Sequence, residues 1–119
     1  MIFTGNMLTS IPYATFSKTG LTHIELPASI HYIKEHAFSG CRKLLSIELP
    51  ESVQSIDKYA FSYCTAITNI RLKDRIQYIG EAAFYGCSLL RHINLPNSIT
   101  EIGGWAFDSC SSLEYVRLP

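Results

Sequence analysis

Hydrophobic and polar positions along this chain repeat one design every 23 residues. Complete units occupy 21–43 (LTHIELPASIHYIKEHAFSGCRK), 44–66 (LLSIELPESVQSIDKYAFSYCTA), 67–89 (ITNIRLKDRIQYIGEAAFYGCSL) and 90–112 (LRHINLPNSITEIGGWAFDSCSS), and a half unit, LEYVRLP, fills 113–119. Upstream, Ile2, Leu8, Ile11 and Phe16 fall in the same columns if the partial unit 1–20 is one residue shorter and ends in Lys18-Thr19-Gly20. A fixed period of this length marks a solenoid, in which each unit buries its apolar face only by stacking on its neighbours. The chain is therefore read as a single domain, 1–119. Both ends fall inside a repeat without a polar cap, which implies a fragment of a longer protein or association through the apolar rows of Ile2 and Leu8 at one end and Leu113, Val116 and Leu118 at the other.

Within each unit the period changes. In L-x-x-I-x-L the Ile and final Leu point one way while residues such as His23 and Glu25 point the other, the alternation of a strand. Stacked units then form a parallel sheet with one row per repeat. Pro27, Pro50 and Pro96 follow the last Leu and cannot donate to a ladder, so the strand stops and the chain turns. A second short extended piece, S-I-x-x-I, comes next. The A-F-x-x-C segment, with small or turn-forming neighbours such as Ser39-Gly40 and Asp108-Ser109, suits one turn of helix or 3₁₀ helix that carries the Phe inward. Each repeat supplies roughly six large apolar side chains, each contributing about 1.5–3 kcal/mol when fully buried.

These residues carry a resemblance. The pattern L-x-x-I-x-L-P-x-S-I-x-x-I-x-x-x-A-F-x-x-C-x-x, with Leu26, Leu49, Leu72, Leu95 and Leu118 in one column and Cys41, Cys64, Cys87 and Cys110 in another, resembles the BspA-like class of leucine-rich repeats. The third complete unit departs from it, with Lys73 in place of Pro and Arg75 in place of Ser. The resemblance implies an α/β leucine-rich-repeat solenoid: a right-handed coil with a short-stranded parallel sheet on one face and turns, short strands or short helices on the other. It also implies a non-catalytic protein-binding or adhesion module of a secreted or cell-surface protein, as in surface proteins of anaerobic bacteria and some parasitic protists. A structural spacer, an intracellular scaffold repeat or an enzyme's accessory domain would use the same scaffold, because a fold does not fix a function.

Charge and chemistry narrow the field further. Ten Lys+Arg balance ten Asp+Glu, so no basic field exists to hold nucleic acid. The apolar runs are too short to span a membrane, and the first twenty residues lack the basic start and apolar stretch of a signal peptide. The four cysteines recur at intervals of 23, which places parallel side chains about one strand spacing, roughly 4.8 Å, apart. Disulfides and tetrahedral zinc both need converging side chains, so the column reads as buried structural thiols. His23 and His92 share an outward column three repeats apart, about 14 Å, too far to share a metal. His31 and His36 lie on the return path of one coil. No H-E-x-x-H, G-x-S-x-G, P-loop or dinucleotide glycine motif occurs, and no cofactor is expected.

The informative positions are those free of core duty. Outward along the stack they read His23 and Glu25, Ser46 and Glu48, Asn69 and Arg71, His92 and Asn94, then Tyr115 and Arg117. Acids fall early and arginines late, a graded face that would meet a protein ligand of opposite gradient. The plainer reading is an ordinary solvated face with a cross-strand pair between Glu48 and Arg71. A basic cluster, Arg71, Lys73 and Arg75, is a second candidate for an anionic ligand, although Asp74 inside it points to a solvated turn.

Overall fold

In the computed structural model, which describes residues 8–117, the backbone repeats one circuit in each unit. The coils are numbered here as one (8–20), two (21–43), three (44–66), four (67–89) and five (90–112), followed by the strand at the end of the chain. The S-I-x-x-I pieces form the longer sheet: β1 (Ser10–Ile11), β2 (Tyr32–Ile33), β3 (Ser55–Ile56), β4 (Tyr78–Ile79) and β6 (Glu101–Ile102), paired in parallel in that order. The L-x-x-I-x-L pieces form β5 (His92–Asn94) with β7 (Tyr115–Arg117), plus isolated parallel bridges between Glu25 and Glu48 and between Asn69 and His92. Ser10 faces Tyr32, an offset of 22, and Phe16 stacks on Phe38, so the residue missing from the first unit falls in the turn at Gly20.

The expected sheet is thus the less regular of the two. No strand pairing among the described residues joins Ser46–Glu48 to Asn69–Arg71. Pro27, Pro50 and Pro96, which follow three of these segments, have no N–H with which to extend that ladder. The S-I-x-x-I strand instead runs straight into a bonded turn, and its cross-coil bonds continue beyond the strand, as in Asp57 N–H to Ile33 O at 2.9 Å and Gly80 N–H to Ile56 O at 2.7 Å.

The A-F-x-x-C segment also differs from the expected helical turn, and the described residues contain no helix. Two positions per coil take φ near +60°: Ala14, His36, Tyr59, Ala82 and Trp105 in one column, Lys18, Gly40, Tyr63, Gly86 and Ser109 in the other. A helix requires negative φ throughout, so the segment becomes a run of tight turns. Alternate N–H groups close those turns, as in Ala37 to Lys34 O at 3.1 Å and Ser39 to His36 O at 3.0 Å. The others reach the next coil: His36 to Lys58 O at 3.0 Å, Phe38 to Ala60 O at 2.8 Å, Gly40 to Ser62 O at 2.7 Å. Each left-handed non-glycine residue costs about 1–2 kcal/mol. The cross-coil bonds and the burial they permit offset that cost.

Inside, every column packs on its own copies. Phe16, Phe38, Phe61, Phe84 and Phe107 stack with centroids 5.4, 5.1, 5.5 and 5.5 Å apart, the middle rings within 5° of parallel. Ile33, Ile56 and Ile79, and Leu44 and Leu90, are fully buried beside them. Polar groups at the circuit's corners are satisfied between coils: Ser52 Oγ donates to Ile30 O at 2.6 Å and Ser98 Oγ to Ile76 O at 2.7 Å. Arg75 stands where coil four would carry the equivalent serine. Leu8, Leu113 and Val116 are partly buried against this core. Ile2 and Leu118, expected in the same rows, lie outside the described residues.

Phe61 has an aromatic neighbour on each face, so Phe61→Ala removes two stacking contacts and leaves a cavity in the middle of the ladder. It is expected to destabilise the chain by about 3–5 kcal/mol in denaturant melts. A loss below about 1 kcal/mol would show that the ladder is not the core.

Candidate functional site

Ile24, Ile47, Ile70 and Ile93 turn inward from the L-x-x-I-x-L row, which leaves the alternate side chains outside. His23, Glu25, Glu48, Asn69, Arg71, Asn94, Tyr115 and Arg117 are exposed, and His92 is half-buried. The bridge between coils two and three sets Glu25 directly opposite Glu48. Like charges so placed repel. Lys73 relieves the repulsion, its Nζ lying 3.0 Å from Glu48 and 3.7 Å from Glu51, with its side chain only 14% exposed.

The expected pair between Glu48 and Arg71 is therefore not formed. Lys73 occupies the place of a proline, and its long side chain reaches back one coil to take Glu48. The row is also unpaired between coils three and four, so nothing draws Arg71 opposite Glu48. The basic cluster of Arg71, Lys73 and Arg75 loses its central member to the same contact, and no ion pair involves Arg71 or Arg75 among the described residues.

The face divides into two hollows. One, of about 460 Å³, is lined by Glu25, Glu48, Glu51 and Lys73 over Ile24, Leu26, Leu49 and Pro50. The other, of about 420 Å³, gathers Asn69, Arg71, His92, Asn94 and Tyr115 over Ile70 and Leu72. In the second, the His92 and Tyr115 rings lie 4.8 Å apart at 42°, and Arg117 flanks Asn94 in register. The His92 Nδ1 atom is buried and has no hydrogen-bond partner among the described residues. Beside the hollow, Arg91 holds Glu114 with contacts of 2.6 and 2.8 Å to one carboxylate oxygen, which lowers the Glu114 pKa from the ordinary carboxylate value.

The cysteines sit elsewhere. Cys41, Cys64, Cys87 and Cys110 are free and buried, each thiol donating to the carbonyl of the Phe one coil earlier: Phe16, Phe38, Phe61 and Phe84, at 3.0, 3.2, 3.1 and 3.1 Å. Thr19, in the same column, gives its hydroxyl to Phe16 O at 2.7 Å. Burial pushes the Cys64 thiol far above its usual range and Cys87 up to about 12, with neighbouring sulfurs adding to the effect. These are structural hydrogen-bond donors held in the unreactive protonated form. Among the described residues no group of three or more His, Cys, Asp or Glu side chains is placed to hold a metal ion. No helix among them is long and apolar enough to cross a membrane.

One set of surface residues was passed over in the sequence. Tyr59, Tyr63, Tyr85 and Trp105 gather on the turn side around a further hollow with Asp108. Its signal lay in the column before A-F, which holds His36, Tyr59 and Trp105, too large and aromatic for an ordinary turn position.

Two short parallel sheets, a Phe ladder and a polar outer face on each coil together define a leucine-rich-repeat solenoid. The family model of the BspA type leucine rich repeat region matches residues 9–119 in six copies, and the chain belongs to that family. It is thus a repeat module of the protein-interaction kind. Among solved structures it is similar to a leucine-rich repeat protein of T. pallidum (TM-score 0.90, 38% identity, 94% of this chain and 53% of that one). A leucine-rich repeat protein from Bacteroides ovatus is similar at TM-score 0.87 and 42% identity, over 94% of this chain and 29% of that one. A leucine rich cell surface protein from Faecalibacterium prausnitzii gives 0.91 and 28%, over 98% and 31%. The chain therefore spans about half or less of these relatives' length. No curated protein matches it significantly.

The buried thiols make stability depend on alkaline pH. An unfolded thiol ionises from about pH 8.5, whereas folding holds the proton on Cys64 and Cys87, so their contribution is full below that pH and is lost as pH rises towards 12. The slope is about 1.4 kcal/mol per pH unit for each thiol. Denaturant melts from pH 8 to 11 should fall more steeply for wild type than for Cys64→Ser/Cys87→Ser, which keeps a donor but cannot ionise in that range. Parallel curves would contradict the assignment.

Proposed function

We propose that this chain is a non-catalytic protein-binding module of a surface protein, and that the ligand is a protein that contacts the L-x-x-I-x-L face. The observation that carries the proposal is the hollow over Asn69, Arg71, His92, Asn94 and Tyr115. Arg71 and Arg117 supply unpaired positive charge there, and Glu25 supplies negative charge two coils before Arg71, so a bound chain would be fixed in direction as well as position. His23, Glu48 and Asn69 extend the contact along the row. The family and the similarity to a leucine rich cell surface protein support a surface or secreted location and an adhesive role.

The alternative is a spacer or scaffold repeat without a ligand of its own. The two readings separate by capture: immobilised wild-type chain is compared with Arg71→Glu/His92→Ala and with a control, Lys34→Glu/Glu101→Lys, on the side of the other sheet. The proposal expects a saturable partner that the control still captures. The face variant should stay folded and bind at least about tenfold more weakly than wild type, whose own binding falls as salt rises. Equal capture by all three would favour the spacer.

A further inference from the structure

The two left-handed columns on the turn side carry bulky residues where small ones would be easier. His36 and Tyr59 stack at 5.0 Å and 2°, and Tyr13 meets His36 edge-on at 5.7 Å. Tyr59, Tyr63 and Trp105 all sit at φ near +60°, an unfavourable conformation for large side chains, and yet Trp105 is 65% exposed and Tyr63 43% exposed. Core packing does not require them.

The first column is interrupted in coil four, and the second carries a bulky residue only at Tyr63 among coils two to five. Ala82 stands between Tyr59 and Trp105 and offers only a buried methyl group, and Gly86 stands between Tyr63 and Ser109. Tyr63 leans over Gly86, where an added Cβ would come within 2.8 Å of its ring, and meets Tyr85 edge-on at 5.5 Å. What remains is a notch of about 480 Å³ walled by Tyr59, Tyr63, Tyr85, Trp105 and Asp108. Two strand spacings set the Tyr59 and Trp105 rows roughly 9.6 Å apart, which leaves room for one compact group between them.

The walls specify the sign of that group. Aromatic faces present negative potential, the single ionisable wall residue with a full charge is a carboxylate, and Asp108 has no ion pair among the described residues; Ser109 Oγ approaches it at 3.3 Å. Tyr63 already accepts one cation from within the chain, the Arg42 guanidinium carbon lying 5.6 Å from its ring centroid. We propose that the notch in coil four is a binding site for a lysine or arginine side chain presented by a partner polypeptide. The cation enters between Tyr59 and Trp105 and its charge is met by Asp108. This site does not depend on the L-x-x-I-x-L face.

Trp105 is the one tryptophan of the chain, so its fluorescence reports the site directly. Pentalysine and pentaarginine are titrated at low salt, with pentaglycine and cellopentaose as neutral probes. The basic peptides should give a saturable change that salt weakens, and the neutral probes none. Ala82→Tyr fills the notch with a side chain that the same column carries in coil three, leaves the charge unchanged, and should weaken binding at least about tenfold. Asp108→Asn should weaken it at least about threefold with the melting temperature unchanged, and it serves alone if Ala82→Tyr does not fold. No saturable response to either basic peptide, equal affinity in Asp108→Asn and wild type, or a response to cellopentaose alone would overturn the proposal, the last by marking a carbohydrate site.

Discussion

The structure depends on one interaction, the stacking of a coil on a near-copy of itself. No coil closes all of its own hydrogen bonds: the N–H groups of His36, Phe38 and Gly40 find their acceptors in the next coil, and each buried thiol finds its acceptor in the previous one. The Phe ladder works the same way, since each ring covers its faces with the rings above and below. An isolated repeat would leave these groups and surfaces in water. Stability in such a stack is nearest-neighbour stability, which explains why so many columns repeat the same residue type.

Stacking also orders the surface, and there it creates conflicts. Residues of like charge are set one above another, as with Glu25 and Glu48, and a residue from a later coil must relieve them. Aromatic residues in one column make a continuous band, as with His36 on Tyr59. Coil four is where these rows break. Lys73 replaces a proline, Arg75 a serine, and Ala82 stands between the aromatic residues Tyr59 and Trp105. The hollow beneath Arg71 and the aromatic notch both involve this coil, on opposite sides of the circuit. Departures from the repeat, more than the repeat itself, give this chain an individual surface.

The solenoid, the Phe and Cys columns and the outward set from His23 to Arg117 were legible in the sequence because stacking turns period into contact. The turn conformation was not. A-F-x-x-C has the spacing of a helical turn, and the left-handed φ at His36, Tyr59 and Trp105 runs against the preferences of those residues. It follows from hydrogen bonds to a neighbouring coil, which a single unit does not display. The same limit hid the partner of Glu48. Cross-strand logic selected Arg71, the residue in the matching column one repeat on, whereas Lys73, two positions further, reaches back because its segment is a turn and not a strand. The aromatic notch was missed because its walls come from three columns and its opening from two small residues, none of which is a motif.

Native-state hydrogen exchange tests the primacy of stacking most directly. The amide protons of Phe38, Phe61 and Phe84 are bonded to Ala60, Ala83 and Ala106 of the following coil, and that of Phe16 to Ala37 at the edge of the stack. If stability is carried between coils, Phe61 should exchange only through global unfolding, and protection should decline through neighbouring coils to Phe16. Protection of Phe61 no greater than that of Phe16, or rapid exchange of the Phe amides while the strand amides stay protected, would contradict the account.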